Sequence, residues 1–575
     1  MMKSNYYILI LILFSSTLTF AQKKIALDSV YTIQDSVMIP TKSGINICAV
    51  IVRKKGNSQP LPSILFYTTY YQGKGDTLFG KKSADRDYVG IIAYARGIRT
   101  DLRYYAPFEN EGNDIYDIIE WISKQSWCNG SVGMYGGSYT GFAQWAATKK
   151  LHPALKTIVP QVAVMPGFDF PMENNVQMNA TLYWPNDNIY KNQQIKRSLP
   201  FEWFKQGLSF RSLDSLSGIE SPIFKKWINH PAYDFYWQSV VPTPEEYGKI
   251  NIPILTTTGY YDGSQIGAIQ YFKQHTFYNK NADHYLVIGP YDHWGGQRYP
   301  SKNLMGYKID SVANVSMSEL AYDWLDYILK GKQKPEILQD KVNYEVMGAN
   351  EWRHVINLDA MSNDSITMYL SSEKSAGNYK LNTLEPGMDY VSQKIDFTDR
   401  TTENNFYTPD IIFDSLDAGN GLIFKSGIFN QEFEISGSFT GHLFATINKK
   451  DMDISCALYE QKADGTYFFL TRYIGRASYA KDNYERQLLT PGRKESILFY
   501  NTRIVSKIIE RGSRLVILLN VNKHPFEIIN YGSGKEVADE TIHDAGAPLE
   551  IKWHTDSYIQ IPIFRDWRPK KNFER

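Results

Sequence analysis

Cysteine is almost missing from this chain: Cys48, Cys128 and Cys456 are its only three, scattered over 575 residues. Their number is odd and their spacing fits no zinc motif, so neither a disulfide framework nor a structural zinc site is expected. An excess of charge is missing too. With 62 basic and 61 acidic residues the net charge is +1, no basic face is implied, and nucleic acid or an anionic membrane is a poor candidate partner. There is no internal repeat and no low-complexity tract. Long apolar runs are confined to the N-terminus, where a short basic leader precedes the stretch from Tyr6 to Phe20, and Thr19-Phe20-Ala21 precedes Gln22. That pattern predicts a secretory signal over residues 1–21, cleaved after Ala21, and hence a secreted or periplasmic protein. The run is short for a membrane span, and no cysteine follows the cut to carry a lipid. No stable membrane partner is expected.

What the chain has in plenty is aromatic side chains, 14% of the total, with 41 Tyr and 12 Trp. Such an excess suits a ligand pocket with apolar walls and hydroxyl tips. From Val37 to Pro160 apolar runs such as Ser63–Thr68 and Val89–Tyr94 alternate with helical spacing, as at Ile115, Ile118, Ile119 and Ile122. This predicts an α/β fold with a parallel sheet covered by helices, its first part at residues 22–164. The alternation breaks over residues 165–245, a Trp-, Tyr- and Asn-rich stretch with short helical segments at Ile195–Gln206, Ile223–Asn229 and Pro231–Gln238, which reads as an inserted helical cap. It resumes over residues 246–335. From Val342 the runs are short and separated by turn residues, so residues 342–575 are expected to form an all-β sandwich. Lys374 to Thr383 reads as a loop.

The stretch Gly130 to Trp145, GSVGMYGGSYTGFAQW, reads as strand, sharp turn and helix, with Ser138 at the turn. That is how an α/β hydrolase presents a nucleophile, although the second glycine of G-x-S-x-G falls one place late. An activated serine needs a base and a carboxylate to orient it, each on a loop after a later strand. Asp262 follows the run Ile252–Thr258, and His293 follows Tyr285–Ile288, in the order this fold requires. Asp292 is the alternative carboxylate. An oxyanion hole would take the backbone N–H of Tyr139 and a donor from the loop after Thr68, where Tyr70 and Tyr71 are both candidates.

Glu120-Trp121-Ile122, Gln125–Met134 and Gly136-Gly137-Ser138-Tyr139-Thr140-Gly141 together resemble the CocE/NonD hydrolases, cocaine esterase-like relatives of the X-Pro dipeptidyl-peptidase family. The likeness continues at Gly259–Gly263, at Gly289–His293, at His230-Pro231-Ala232-Tyr233-Asp234-Phe235-Tyr236-Trp237 and at Asn530-Tyr531-Gly532. It implies an α/β-hydrolase core, a helical cap and a C-terminal jelly-roll. It also implies Ser138 as nucleophile, Asp262 as acid, His293 as base, and Tyr70 with the Tyr139 N–H as oxyanion donors. Where the family has D-x-R-G this chain has Tyr94-Ala95-Arg96-Gly97, which puts that loop's geometry in question. The extra carboxylates by which α-amino-acid ester hydrolases bind an ammonium look absent, since Gly263-Ser264-Gln265 follows Asp262. Asp169 and Glu173 are weak substitutes, expected to be solvated loop residues.

The expected function is that of a secreted serine hydrolase, cleaving a small-molecule ester or amide through an acyl-enzyme, with no metal or cofactor. An acylase or aminopeptidase type of amide hydrolysis is the alternative. A non-catalytic glycan-binding protein is the reading from another class, because a sandwich by itself says nothing about ligand.

Overall fold

The computed structural model describes residues 30–189, 194–402, 404 and 410–565; the expected signal segment lies outside the described residues. The apolar runs of the first part assemble into one ten-stranded sheet. In chain order its strands are β1 (Tyr31–Pro40), β2 (Asn46–Lys54), β3 (Leu61–Thr68), β4 (Val89–Tyr94), β5 (Cys128–Gly137), β6 (Leu155–Gln161), β7 (Ile254–Gly259), β8 (His284–Gly289), β9 (Val342–Val346) and β10 (Glu351–Val355). Across the sheet they lie in the order β1-β2-β4-β3-β5-β6-β7-β8-β9-β10. The strands from β4 to β9 run parallel, and β1, β2 and β10 pair antiparallel at the two edges. β4 and β7 are buried along their whole length, as parallel strands covered on both faces must be.

Helices cover the two faces. The helix Glu111–Ser123 buries Ile115, Ile118, Ile119 and Ile122, one stripe at helical spacing. With the wholly buried helix Tyr139–Thr148 it packs into one apolar cluster, while Leu320, Trp324 and Leu325 of the helix Met317–Lys330 belong to another. Between β6 and β7 lies the inserted segment, with helices at Ala180–Ile189, Leu199–Gln206, Pro222–Ile228, Phe235–Val240 and Pro244–Lys249 among others. The His230 motif builds a turn of this segment. Asp234 accepts from the Tyr236 N–H at 3.0 Å and from His230 Nδ1 at 2.6 Å, and Trp237 Nε1 donates to the His230 carbonyl at 3.0 Å.

Two expectations need correction. Val342–Val346 is expected to open the β-rich sandwich of residues 342–575. Instead β9 pairs in parallel with β8 and β10 folds back on it, so both belong to the ten-stranded sheet. Short strands joined by a tight turn look alike in either setting. Lys374 to Thr383, expected as a loop, is the tip of a hairpin between Asp364–Ser375 and Asn378–Asn382. Its turn is made by Ala376 and Gly377, both at positive φ, and Tyr379 stacks on Phe424. The rest of the C-terminal part is a fourteen-stranded sheet, with strands that alternate buried and exposed side chains as at Thr440–Ile447.

Candidate active site

Ser138 stands at the junction of β5 and the helix Tyr139–Thr148, with φ 63° and ψ −125°. A non-glycine residue at positive φ is strained and persists only where its surroundings hold it. Here the Ser138 N–H donates to Gln161 of β6 at 3.1 Å, and the Ser138 carbonyl accepts from the N–H groups of Gly141 and Phe142 at 2.9 and 3.0 Å. The late glycine has a steric cause. A Cβ on Gly141 would sit 2.8 Å from Ala163 Cβ and 2.9 Å from the Gln161 carbonyl, so only glycine lets the helix approach β6 this closely. Thr140 occupies the place of the usual second glycine and is buried.

The chain brings His293 and Ser138 to the wall of one cavity. His293, just past β8, hydrogen-bonds through Nδ1 to Asp262 Oδ1 at 2.7 Å, leaving its other ring nitrogen for the cavity into which Ser138 also opens. Asp262, just past β7, is fully buried. Its oxygens accept from Thr258 Oγ1 at 2.8 Å and the Ser264 N–H at 2.9 Å, which fixes the carboxylate's orientation. Burial works to lower the His293 pKa, but the charge and hydrogen bond of Asp262 outweigh it and the net shift is upward. Asp292 takes no part in this pair: its Oδ1 accepts from the N–H groups of Trp294 and Gly295 at 3.1 and 2.6 Å.

Of the two candidate tyrosines, Tyr70 reaches the serine. Its hydroxyl donates to Ser138 Oγ at 3.3 Å and accepts from Trp184 Nε1 at 3.2 Å. Burial raises its pKa above the ordinary value of 10.0 against the opposing hydrogen bonds of Ser138, Trp184 and the Tyr139 backbone, so it stays a donor at neutral pH. Tyr71 meets Tyr94 edge-on at 5.5 Å and lies under Arg99 at 5.1 Å. The Tyr139 side chain is anchored beneath the turn, donating to Glu111 Oε1 at 2.5 Å. Glu111 also takes the N–H groups of Phe108 and Asn110, both at 2.9 Å, and burial pushes its pKa up to about 7. The loop at Tyr94–Gly97 is held by Arg96, whose Nε and Nη2 clasp Asp114 at 3.0 and 2.5 Å.

The cavity has a volume of about 530 Å³, the size of a small-molecule site. Phe66, Phe79, Tyr135, Trp184 and Trp294 give it an apolar wall. Asp169 and Glu173, expected as solvated loop residues, are both 4% exposed, which corrects that reading. Asp169 accepts from the N–H groups of Met165 and Gly267 at 2.7 and 2.8 Å. Glu173 is clasped by Arg503 of the C-terminal domain, Nη1 to Oε1 at 2.8 Å and Nη2 to Oε2 at 2.7 Å.

Arg503 does more than pair with Glu173. It donates to the backbone carbonyls of Asp262 and Gly263 at 3.3 and 3.1 Å, while Gln265 exchanges hydrogen bonds with the backbone of Ile504 at 2.6 and 2.9 Å. The Asp262 loop is thus gripped by Arg503 and Ile504, more than two hundred residues away. Sequence reasoning missed Arg503, Trp184, Thr258 and Glu111. Thr258, four residues before the acid, carried a local signal; the others meet the site only through the fold. Among the described residues no cluster of three or more His, Cys, Asp and Glu is arranged to hold a metal ion.

Comparison with known proteins agrees with this architecture. The family profile of X-Pro dipeptidyl-peptidase (S15 family) matches residues 43–295, and that of the X-Pro dipeptidyl-peptidase C-terminal non-catalytic domain matches residues 338–496. A cocaine esterase from Rhodococcus sp. (strain MB1 Bresler) is 23% identical over 601 residues, covering 94% of this chain and all of its own. Among solved structures, an aminopeptidase from a marine sediment archaeon, Thaumarchaeota archaeon, superposes with a TM-score of 0.81 at 19% identity, over 93% of this chain and 97% of its own. An α-amino acid ester hydrolase does so with a TM-score of 0.77 at 20% identity, over the same shares of the two chains.

Proposed function

We propose, from a chain that belongs to the X-Pro dipeptidyl-peptidase (S15) family of α/β hydrolases, a mechanism for a serine hydrolase acting on esters or peptides. His293 takes the proton of Ser138 as Oγ attacks the carbonyl carbon. Asp262 holds the ring in the tautomer that leaves the acceptor nitrogen toward the serine and stabilises the imidazolium that forms. The developing oxyanion is received by the Tyr70 hydroxyl and the Tyr139 N–H. The alcohol or amine leaves with the proton from His293, and water, activated by the same base, hydrolyses the acyl-enzyme.

The observation that carries this reading is the convergence of two relays on one cavity. Trp184 orders Tyr70, which donates to Ser138 Oγ. Thr258 and Ser264 order Asp262, which holds His293. The hydrogen bonds within each relay form without a ligand, and His293 and Ser138 line the same cavity. We also infer export, from the apolar N-terminal run that ends at Ala21. An ester or an amide without a free amino group is favoured over a peptide with a free amino terminus, because no carboxylate among the described residues lines the cavity to receive an ammonium. The test is labelling with a fluorophosphonate probe. Wild type should react covalently and Ser138→Ala should not; equal labelling of both, or of neither, would sink the mechanism.

A further inference from the structure

The wall of the cavity at Ser138 carries charge of one sign. Apart from His293, its ionisable groups of ordinary charge among the described residues are Lys82 and Arg298. Lys82 is already answered: its Nζ lies 2.7 Å from Glu319 Oε1 and donates to Ser318 Oγ at 2.5 Å. Arg298 is not. Its guanidinium lies over the Trp294 ring at 4.6 Å, and no carboxylate among the described residues pairs with it.

The position of Arg298 is fixed rather than incidental. Residues 292–298 form a helical turn directly after the base, with the Gly296 N–H donating to the Asp292 carbonyl at 3.0 Å and the Arg298 N–H to the Trp294 carbonyl at 2.9 Å. The Arg298 carbonyl in turn accepts from the Met317 N–H at 2.9 Å. Trp294, Gln297 and Arg298 of this turn all face the cavity, and Gln297 Nε2 ties the turn to the His293 carbonyl at 2.9 Å. A guanidinium resting on an aromatic face keeps its in-plane N–H groups for a planar anion. The Arg298 and Trp294 side chains are both exposed, so the guanidinium stands at the open rim of the cavity, where an unanswered positive charge favours a negative ligand over a positive one and is screened by solvent and salt.

We propose that the substrate of this hydrolase carries a carboxylate, on its acyl or its leaving group, which Arg298 binds while Ser138 attacks the ester or amide carbonyl. This rests on the serine-hydrolase mechanism above. The carboxylate itself is unchanged by the reaction. The bond from Ser138 Oγ to the acyl carbon forms as the ester or amide bond breaks, the leaving group takes the proton that His293 removed from Ser138, and water then releases the acid.

The test compares kcat/KM within two matched pairs of esters, in wild type, Arg298→Gln and Arg298→Lys. For the acyl side the pair is the para-nitrophenyl monoester of adipate against para-nitrophenyl hexanoate. For the leaving side it is para-acetoxybenzoate against para-acetylphenyl acetate. In one of the two pairs wild type should prefer the anionic ester, more strongly at low salt. Arg298→Gln should lower that preference about two- to fivefold, as loss of an exposed charge partner does, and Arg298→Lys should retain part of it. The pair that responds assigns the side. Equal preference ratios in wild type and Arg298→Gln for both pairs, with Ser138-dependent hydrolysis of the neutral esters intact, would overturn this inference alone. Absence of Ser138-dependent hydrolysis of any ester would overturn the mechanism and this inference with it.

Discussion

At the scale of single residues, the site is a contest between burial and specific partners. Burial discourages the charged form of His293, and the carboxylate of Asp262 reverses the outcome, so the ring titrates above the ordinary 6.5. A base must be neutral to act. Activity, measured as kcat/KM against pH, is therefore expected to rise with pH through an inflection above 6.5 and then level off. The contribution of the His293–Asp262 pair to stability runs the other way: it is full below the unfolded value and fades as pH rises through the folded one. In Asp262→Asn the inflection should move down and the plateau fall by about 10⁴-fold. An unmoved inflection would mean that another group sets the profile. Tyr70 presents a simpler case, since its hydroxyl hydrogen-bonds Ser138 Oγ and the substitution removes that group alone. Tyr70→Phe should lower kcat by about 10²–10³-fold with KM little altered, as loss of one oxyanion donor does; an undiminished kcat would remove Tyr70 from the mechanism.

At the scale of elements, the turn between β5 and its helix is set by how closely two segments approach. Gly141→Ala would press a methyl group against Ala163 and the Gln161 carbonyl. A loss of about 1–3 kcal/mol is expected from such overpacking, read as a lower urea midpoint, together with slower fluorophosphonate labelling as Ser138 shifts. Unaltered stability would show that the helix can move away. This scale also explains what could be read from the chain beforehand. The positions of Ser138, Asp262 and His293 just past strand ends were legible because each lies within four residues of an apolar strand, a local signal in the sequence. The sheet that β9 and β10 join was not legible, because strand length and turn chemistry do not say which sheet a strand joins; the pairing of Leu286 with Val342 does. Asp169 and Glu173 looked solvated because their partners, the Gly267 N–H and Arg503, lie far away in the chain.

At the scale of the whole molecule, Arg503 is the point where three parts meet: the strand-rich C-terminal part supplies it, the inserted segment supplies Glu173, and the sheet supplies the Asp262 loop. Removing one member of a buried ion pair leaves the other uncompensated, so Arg503→Met should cost about 3–5 kcal/mol in unfolding free energy. The double variant Arg503→Met with Glu173→Leu should regain much of that stability. Because the Asp262 and Gly263 carbonyls would still lack their donor, its kcat should stay below wild type. Full recovery of both would confine Arg503 to a structural role.

The same joint has a consequence in time. A ribosome delivers Ser138, Asp262 and His293 long before it delivers Arg503 and Ile504, so a nascent chain holds every reacting group while the acid loop still lacks its outer support. On the proposed mechanism, competence to hydrolyse should wait for the strand that begins at Ile504, and a protein halted short of it should label slowly with a fluorophosphonate.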